Sequence, residues 1–150
     1  MSSLFAFLHH LAAFALVGAL AVEFVLIRGE LTAKNALRIL IADAVYGASA
    51  VTVVVVGLLR VFFFEKGAGY YLYSMPFLLK FALVVVAGLL SIYPTIVFMS
   101  WRNAIKQGQA PVVDERKRAL LRRIIHIELA IVVAILLCGA LMARGVGMLG

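Results

Sequence analysis

Four long apolar segments, separated by short polar ones, dominate the chain: Leu4–Ile27, Leu37–Phe64, Phe77–Met99 and Leu120–Met142. Each is long enough for a helix that crosses the hydrocarbon core of a bilayer, which takes roughly 20 residues. Helices satisfy their own backbone hydrogen bonds, so they are the structure that such segments favour in lipid. The pattern predicts an all-α integral membrane protein, a four-transmembrane-helix bundle that forms a single membrane domain over residues 1–150.

Composition supports a membrane location. The 150 residues are 65% hydrophobic and 14% charged, whereas a soluble domain is about half apolar and a quarter charged. A globule of this size could not bury so much apolar surface. The single cysteine, Cys138, excludes an internal disulfide and a CxxC motif. The first segment lacks a basic leader, which indicates a retained helix and not a cleaved signal peptide.

Basic residues are distributed unevenly between the two ends of the predicted bundle. Ten lie in or beside the first and third connections, and four lie at the opposite end. The positive-inside rule then places those connections in the cytoplasm and both termini in the periplasm of a bacterial cytoplasmic (inner) membrane. The net charge of +7 does not indicate nucleic acid, because no basic–aromatic platform accompanies it.

Ionisable residues inside the apolar segments are candidates for function, because they are costly to place in lipid. The predicted orientation sorts them into two layers. Those near the outer face are His9, His10, Arg60, Lys80 and Arg144, and those near the inner face are Glu23, Asp43, His126 and Glu128.

Helical phase indicates which of these residues point into the bundle. His9 and Glu23 lie within about 40° of each other around the first helix, so they share a face that should point inward. Glu23 and Asp43 need a cationic partner or a proton at that depth. His9, Lys80 and His126 could instead lie at the lipid headgroups. The corresponding face offered by the fourth helix comprises His126, Ala130, Val133, Leu137 and Arg144.

Several stretches resemble a known family. They are Phe7–Phe14, Arg60–Tyr71, Phe77–Lys80, Leu90–Thr95 and Met142–Gly145. Together they resemble the bacterial membrane proteins catalogued as domain of unknown function 2214. More distantly, the layout is similar to the J-type membrane protoporphyrinogen oxidase, a haem b protein, and to the copper-resistance D type. The resemblance to the J-type oxidase implies a functional pair of a histidine on the first helix and a lysine on the third, here His9 and Lys80.

Three classes of function remain open. In the first, the bundle binds haem b for electron transfer or for oxidation of a porphyrin or quinone. His9, or His10 in its place, would be the axial ligand, and Lys80 would be a second ligand or a propionate partner. Arg60 and Arg144 would also favour the propionates.

The second class is copper handling or transport. Histidine nitrogens and methionine sulfurs near the outer face suit copper(I), and they come from His9, His10, Met75 and Met142. In the third class the inner residues Glu23, Asp43, His126 and Glu128 relay protons, or hold helices together in a larger membrane complex. Four helices of this length enclose little space, so we expect a homo-oligomer. Whether the protein is an enzyme stays open.

Overall fold

Four long helices form the framework of the protein. The computed structural model describes residues 1–64 and 66–147, and within these residues it is helical and has no strand. The long helices are α1 (Ser2–Leu26), α2 (Ala33–Leu59), α4 (Met75–Ser100) and α6 (Glu115–Ala143). Each is long and apolar enough to cross a membrane, which confirms the prediction of a four-helix all-α membrane protein.

Three short elements join the long helices. A π-helical turn (Arg60–Phe64) extends α2, and α3 (Ala68–Leu72) and α5 (Arg102–Lys106) lie in the second and third connections. The helix starts differ from the predicted ones because polar residues precede the apolar runs. Thus Thr32 caps α2 by accepting a hydrogen bond from the Asn35 backbone at 3.1 Å. The charged segment after Asp114 forms the first turns of α6.

The long helices alternate in direction, so the bundle has two distinct ends. At one, the backbone of Met75 donates to the Gly147 carbonyl at 3.1 Å. We call it the terminus end, because Met1 and Gly147 both lie there. At the other, Arg118 of α6 donates to the carbonyls of Ile27 and Gly29. We call it the loop end. Which end faces the cytoplasm stays a prediction.

The tightest packing lies in the loop-end half. Phe98 is fully buried there and its ring centroid lies 5.1 Å from that of Trp101. Six other residues in this half have no exposed surface: Leu20, Ile27, Ala36, Ile39, Leu121 and Ile125. Apolar residues such as Phe7 and Phe63 lie on the outside of the bundle, where they contact lipid in a membrane.

The inward face of α6 differs from the predicted one. Leu121, Ile125, Glu128, Val132 and Cys138 are buried, whereas the predicted face of His126, Ala130, Val133, Leu137 and Arg144 is exposed. Glu128 follows His126 by two residues, a rotation of about 200°, so only one of the two can point inward. The helix buries its carboxyl group and turns its imidazole outward.

Candidate functional site

His9 lies in the terminus-end half, between α1 and α2. Its ring approaches α2 at Gly57, where an added Cβ atom would lie 3.2 Å from the ring Cε1 and 3.6 Å from Nδ1. The ring also interacts with the backbone of Val53, one turn earlier on α2. Glycine at position 57 therefore makes the room that the imidazole occupies. Nδ1 of His9 is buried and has no hydrogen-bond partner among the residues that the structure describes.

Two cationic side chains accompany His9. Lys80 of α4 and Arg60 of the π-helical turn lie close enough to act electrostatically on its ring. Lys80 reaches toward α6, where a Cβ atom on Gly139 would lie 3.8 Å from its Nζ. His9 of α1 and Lys80 of α4 are therefore neighbours, and their action as a functional pair stays a prediction.

His10 and Arg144 are placed differently from His9. The side chain of His10 is exposed, and its Nδ1 lies 2.6 Å from the Ala6 carbonyl oxygen of its own helix. Its ring centroid lies 6.1 Å from that of His9. Arg144 follows the last residue of α6 and is also exposed. These two residues lie beside the His9 group and not within it.

A second group of polar side chains lies in the loop-end half. Glu23 of α1, Asp43 of α2 and Glu128 of α6 are all buried and lie within electrostatic reach of one another. The buried Tyr46 of α2 faces the same group. Thr95 of α4 donates a hydrogen bond from Oγ1 to Oδ1 of Asp43 at 3.0 Å. All four long helices therefore contribute to this group, which we call the carboxyl cluster.

The register between α1 and α2 explains how the two groups are spaced. His9 opposes Gly57, and the antiparallel pairing of the two helices then places Glu23 opposite Asp43, fourteen residues further along each helix. At a rise of about 1.5 Å per residue, the groups are separated by roughly 21 Å along α1. The sequence predicted these two layers. It did not single out Tyr46, although its i+3 spacing from Asp43 places both residues on one helix face.

His126 does not join the carboxyl cluster. It is exposed, and its ring centroid lies 5.9 Å from that of Phe24. The guanidinium of Arg28 lies 3.7 Å from the centroid of the same Phe24 ring and donates to its backbone carbonyl at 3.0 Å. Two of the bases that could have partnered Glu23 and Glu128 thus associate with an aromatic ring at the edge of the bundle.

The two groups differ in chemistry. The His9 group combines an imidazole nitrogen with cations, which suits an anionic ligand or a coordinating one. The carboxyl cluster has only acidic groups and hydroxyls, which suits protons or cations. Among residues 1–64 and 66–147, no three His, Cys, Asp or Glu side chains are placed to hold one metal ion.

Comparisons with known proteins identify the family. No curated protein matches the chain, and no solved structure matches it. The family model described as "Predicted membrane protein (DUF2214)" matches residues 1–147, nearly the full length. The chain therefore belongs to the DUF2214 family of membrane proteins.

Proposed function

We propose that this membrane protein binds haem b in the terminus-end half of its bundle, with His9 as an axial ligand, and uses it for electron transfer or related redox chemistry. The observation that carries the proposal is the position of the His9 imidazole between α1 and α2, with the cations Lys80 and Arg60 close to it. Imidazole is an established axial ligand of haem iron in proteins.

The surrounding residues fit such a group. Haem carries two anionic propionates, and Lys80 and Arg60 place positive charge near His9. Arg144 is exposed at the terminus end, where propionates reaching the membrane surface would meet it. Bound haem would supply a one-electron couple. The residues of the chain would ligate the iron, orient the propionates and exclude water from the ring.

His9 is a better candidate ligand than His10. Nδ1 of His10 lies 2.6 Å from a carbonyl oxygen of its own helix, and its side chain is exposed. The ring of His9, in contrast, lies between two helices of the bundle. Lys80 is either the second ligand or a propionate partner. A quinone or a membrane protein would supply or accept the electron.

The test is an absorption spectrum of the protein purified in detergent from cells supplied with haem, first oxidised and then reduced with dithionite. We expect a Soret band that sharpens and shifts on reduction, together with α and β bands. His9→Ala should lose this spectrum. His126→Ala is the matched control, because it removes an exposed imidazole in the other half of the bundle.

Two results would contradict the proposal. A wild-type protein without a Soret band would exclude haem, and a His9→Ala variant with full haem would exclude the ligand. Metal analysis of the same preparation then distinguishes the copper alternative. Stoichiometric copper that depends on His9 and His10 would favour copper handling, for which these imidazoles, Met75 and Met142 are the donors.

A further inference from the structure

We propose that Glu23, Asp43 and Glu128 form a proton-binding site in the loop-end half of the bundle. The site is separate from the His9 group, and the proposal does not depend on haem. It rests on three observations: the convergence of carboxyl groups from three helices, their burial, and the lack of hydrogen-bond partners at two of them.

Burial of the carboxyl groups is nearly complete. Glu23 and Glu128 each have 1% of their surface exposed, and Asp43 has 7%. Oε1 of Glu23 and Oε1 of Glu128 have no hydrogen-bond partner among the described residues. An ionised carboxylate in an apolar interior is strongly unfavourable unless it is paired and hydrogen-bonded. The cluster therefore needs compensating positive charge.

The neighbouring helices do not supply that charge. On α1, the guanidinium of Arg28 lies over the Phe24 ring. On α6, His126 is exposed and packs against the same ring. No ion pair to the cluster exists within the part of the chain that the structure describes.

The remaining groups that face the cluster are neutral. Besides Asp43, the groups that α2 and α4 bring to the cluster are the hydroxyls of Tyr46 and Thr95. Arg38, which precedes Asp43 on α2, is exposed. The bases of α5 are exposed.

Protons fit the site better than a metal ion does. No three of the described acidic, histidine or cysteine side chains are placed to ligate one metal. Each proton taken up from water converts one carboxylate into a neutral carboxylic acid, so it removes one buried charge. The carboxylic acid formed in this way then donates a hydrogen bond to a carboxyl oxygen of the cluster that would otherwise have no partner. Thr95 donates to Asp43, and no described residue donates to Oε1 of Glu23 or of Glu128, so protonation is left to satisfy these oxygens.

Infrared spectroscopy tests the proposal on the full chain in lipid at neutral pH. A carboxylic acid has a C=O stretch that ionised carboxylates lack and that shifts in D₂O. We expect the wild-type protein to show this band, and Glu23→Gln and Glu128→Gln each to lose part of it. Glu115→Gln is the matched control on α6, because the Glu115 side chain is 75% exposed. His9→Ala should keep the band, which separates this proposal from the haem proposal.

A labelled wild-type protein keeps the test valid if a variant fails to fold. Incorporation of ¹³C-carboxyl glutamate should shift most of the band in the unaltered chain. A band that neither shifts with the label nor weakens in the two variants would overturn the proposal. So would a stoichiometric metal ion in the wild-type protein that Glu23→Gln or Glu128→Gln removes, since the cluster would then be a cation site.

Discussion

Gly57 is the residue on which the position of the His9 ring depends. A Cβ atom there would lie 3.2 Å from Cε1 of His9, closer than side chains ordinarily approach. Gly57→Leu should therefore displace the ring and lower the free energy of unfolding by about 1–3 kcal/mol, the usual cost of overpacking. Chemical unfolding in detergent measures this. Gly47→Leu is the control, because it adds the same side chain to the same helix where nothing lies within 4 Å of an added Cβ. Equal stabilities of the two variants would contradict this account.

At the residue scale, the sequence predicted which polar residues lie in or at the ends of the long apolar helices but not what each one contacts. Helical phase correctly placed His9 and Glu23 on one inward face of α1, because that relation is local to one helix. The position of Gly57 opposite His9 depends on the register between α1 and α2, which the pattern along either helix does not specify. Tyr46 was missed because a tyrosine in an apolar helix has the same pattern as an ordinary core residue.

At the scale of elements, Arg118 connects the start of α6 to the end of α1. Its guanidinium donates to the carbonyls of Ile27 and Gly29. These residues follow the last turn of α1, where carbonyls have no partner within the helix. Arg118→Ala should cost about 1–2 kcal/mol of stability, because hydrogen bonds from a charged donor are lost. Thermal unfolding followed by circular dichroism measures the change. Lys117→Ala, at the exposed neighbouring position, should stay within about 0.5 kcal/mol of wild type. An equal loss in both variants would show that Arg118 has no special role.

The inward faces of the helices were predictable only in part. The face of α1 that carries His9 and Glu23 points inward as predicted. The face predicted for α6 is wrong, because His126 was expected to point inward, whereas the helix buries Glu128. Both residues are ionisable and both lie in an apolar run, so the pattern alone cannot choose between them. The choice follows from packing against α1, where Phe24 contacts His126 at the rim of the bundle.

At the scale of the whole molecule, the number of long helices was predictable because it follows from the length of each apolar run and the thickness of a bilayer. The π-helical turn Arg60–Phe64 and the short α3 and α5 were not predicted. Their sequences have no separate hydrophobic period, and they form where the long helices meet the connections. These local elements nevertheless matter for the candidate site, since the π-helical turn carries Arg60 toward His9.

The distribution of basic residues along the sequence predicts the orientation of the whole molecule in the membrane. Ten of the fourteen basic residues lie in or beside the loop-end connections, so the positive-inside rule predicts that the loop end faces the cytoplasm. Labelling with a membrane-impermeant maleimide tests this. The single native cysteine, Cys138, is buried, and Cys138→Ala gives a background without thiols. In that background Ser3→Cys should react in intact spheroplasts, and Gln109→Cys should react only after lysis. The reverse pattern would invert the predicted topology and place the carboxyl cluster nearer the periplasm than the His9 group. Labelling of both cysteines in intact spheroplasts would indicate two orientations. An excess of ten loop-end bases over four at the terminus end would then be too weak a signal for a chain this small.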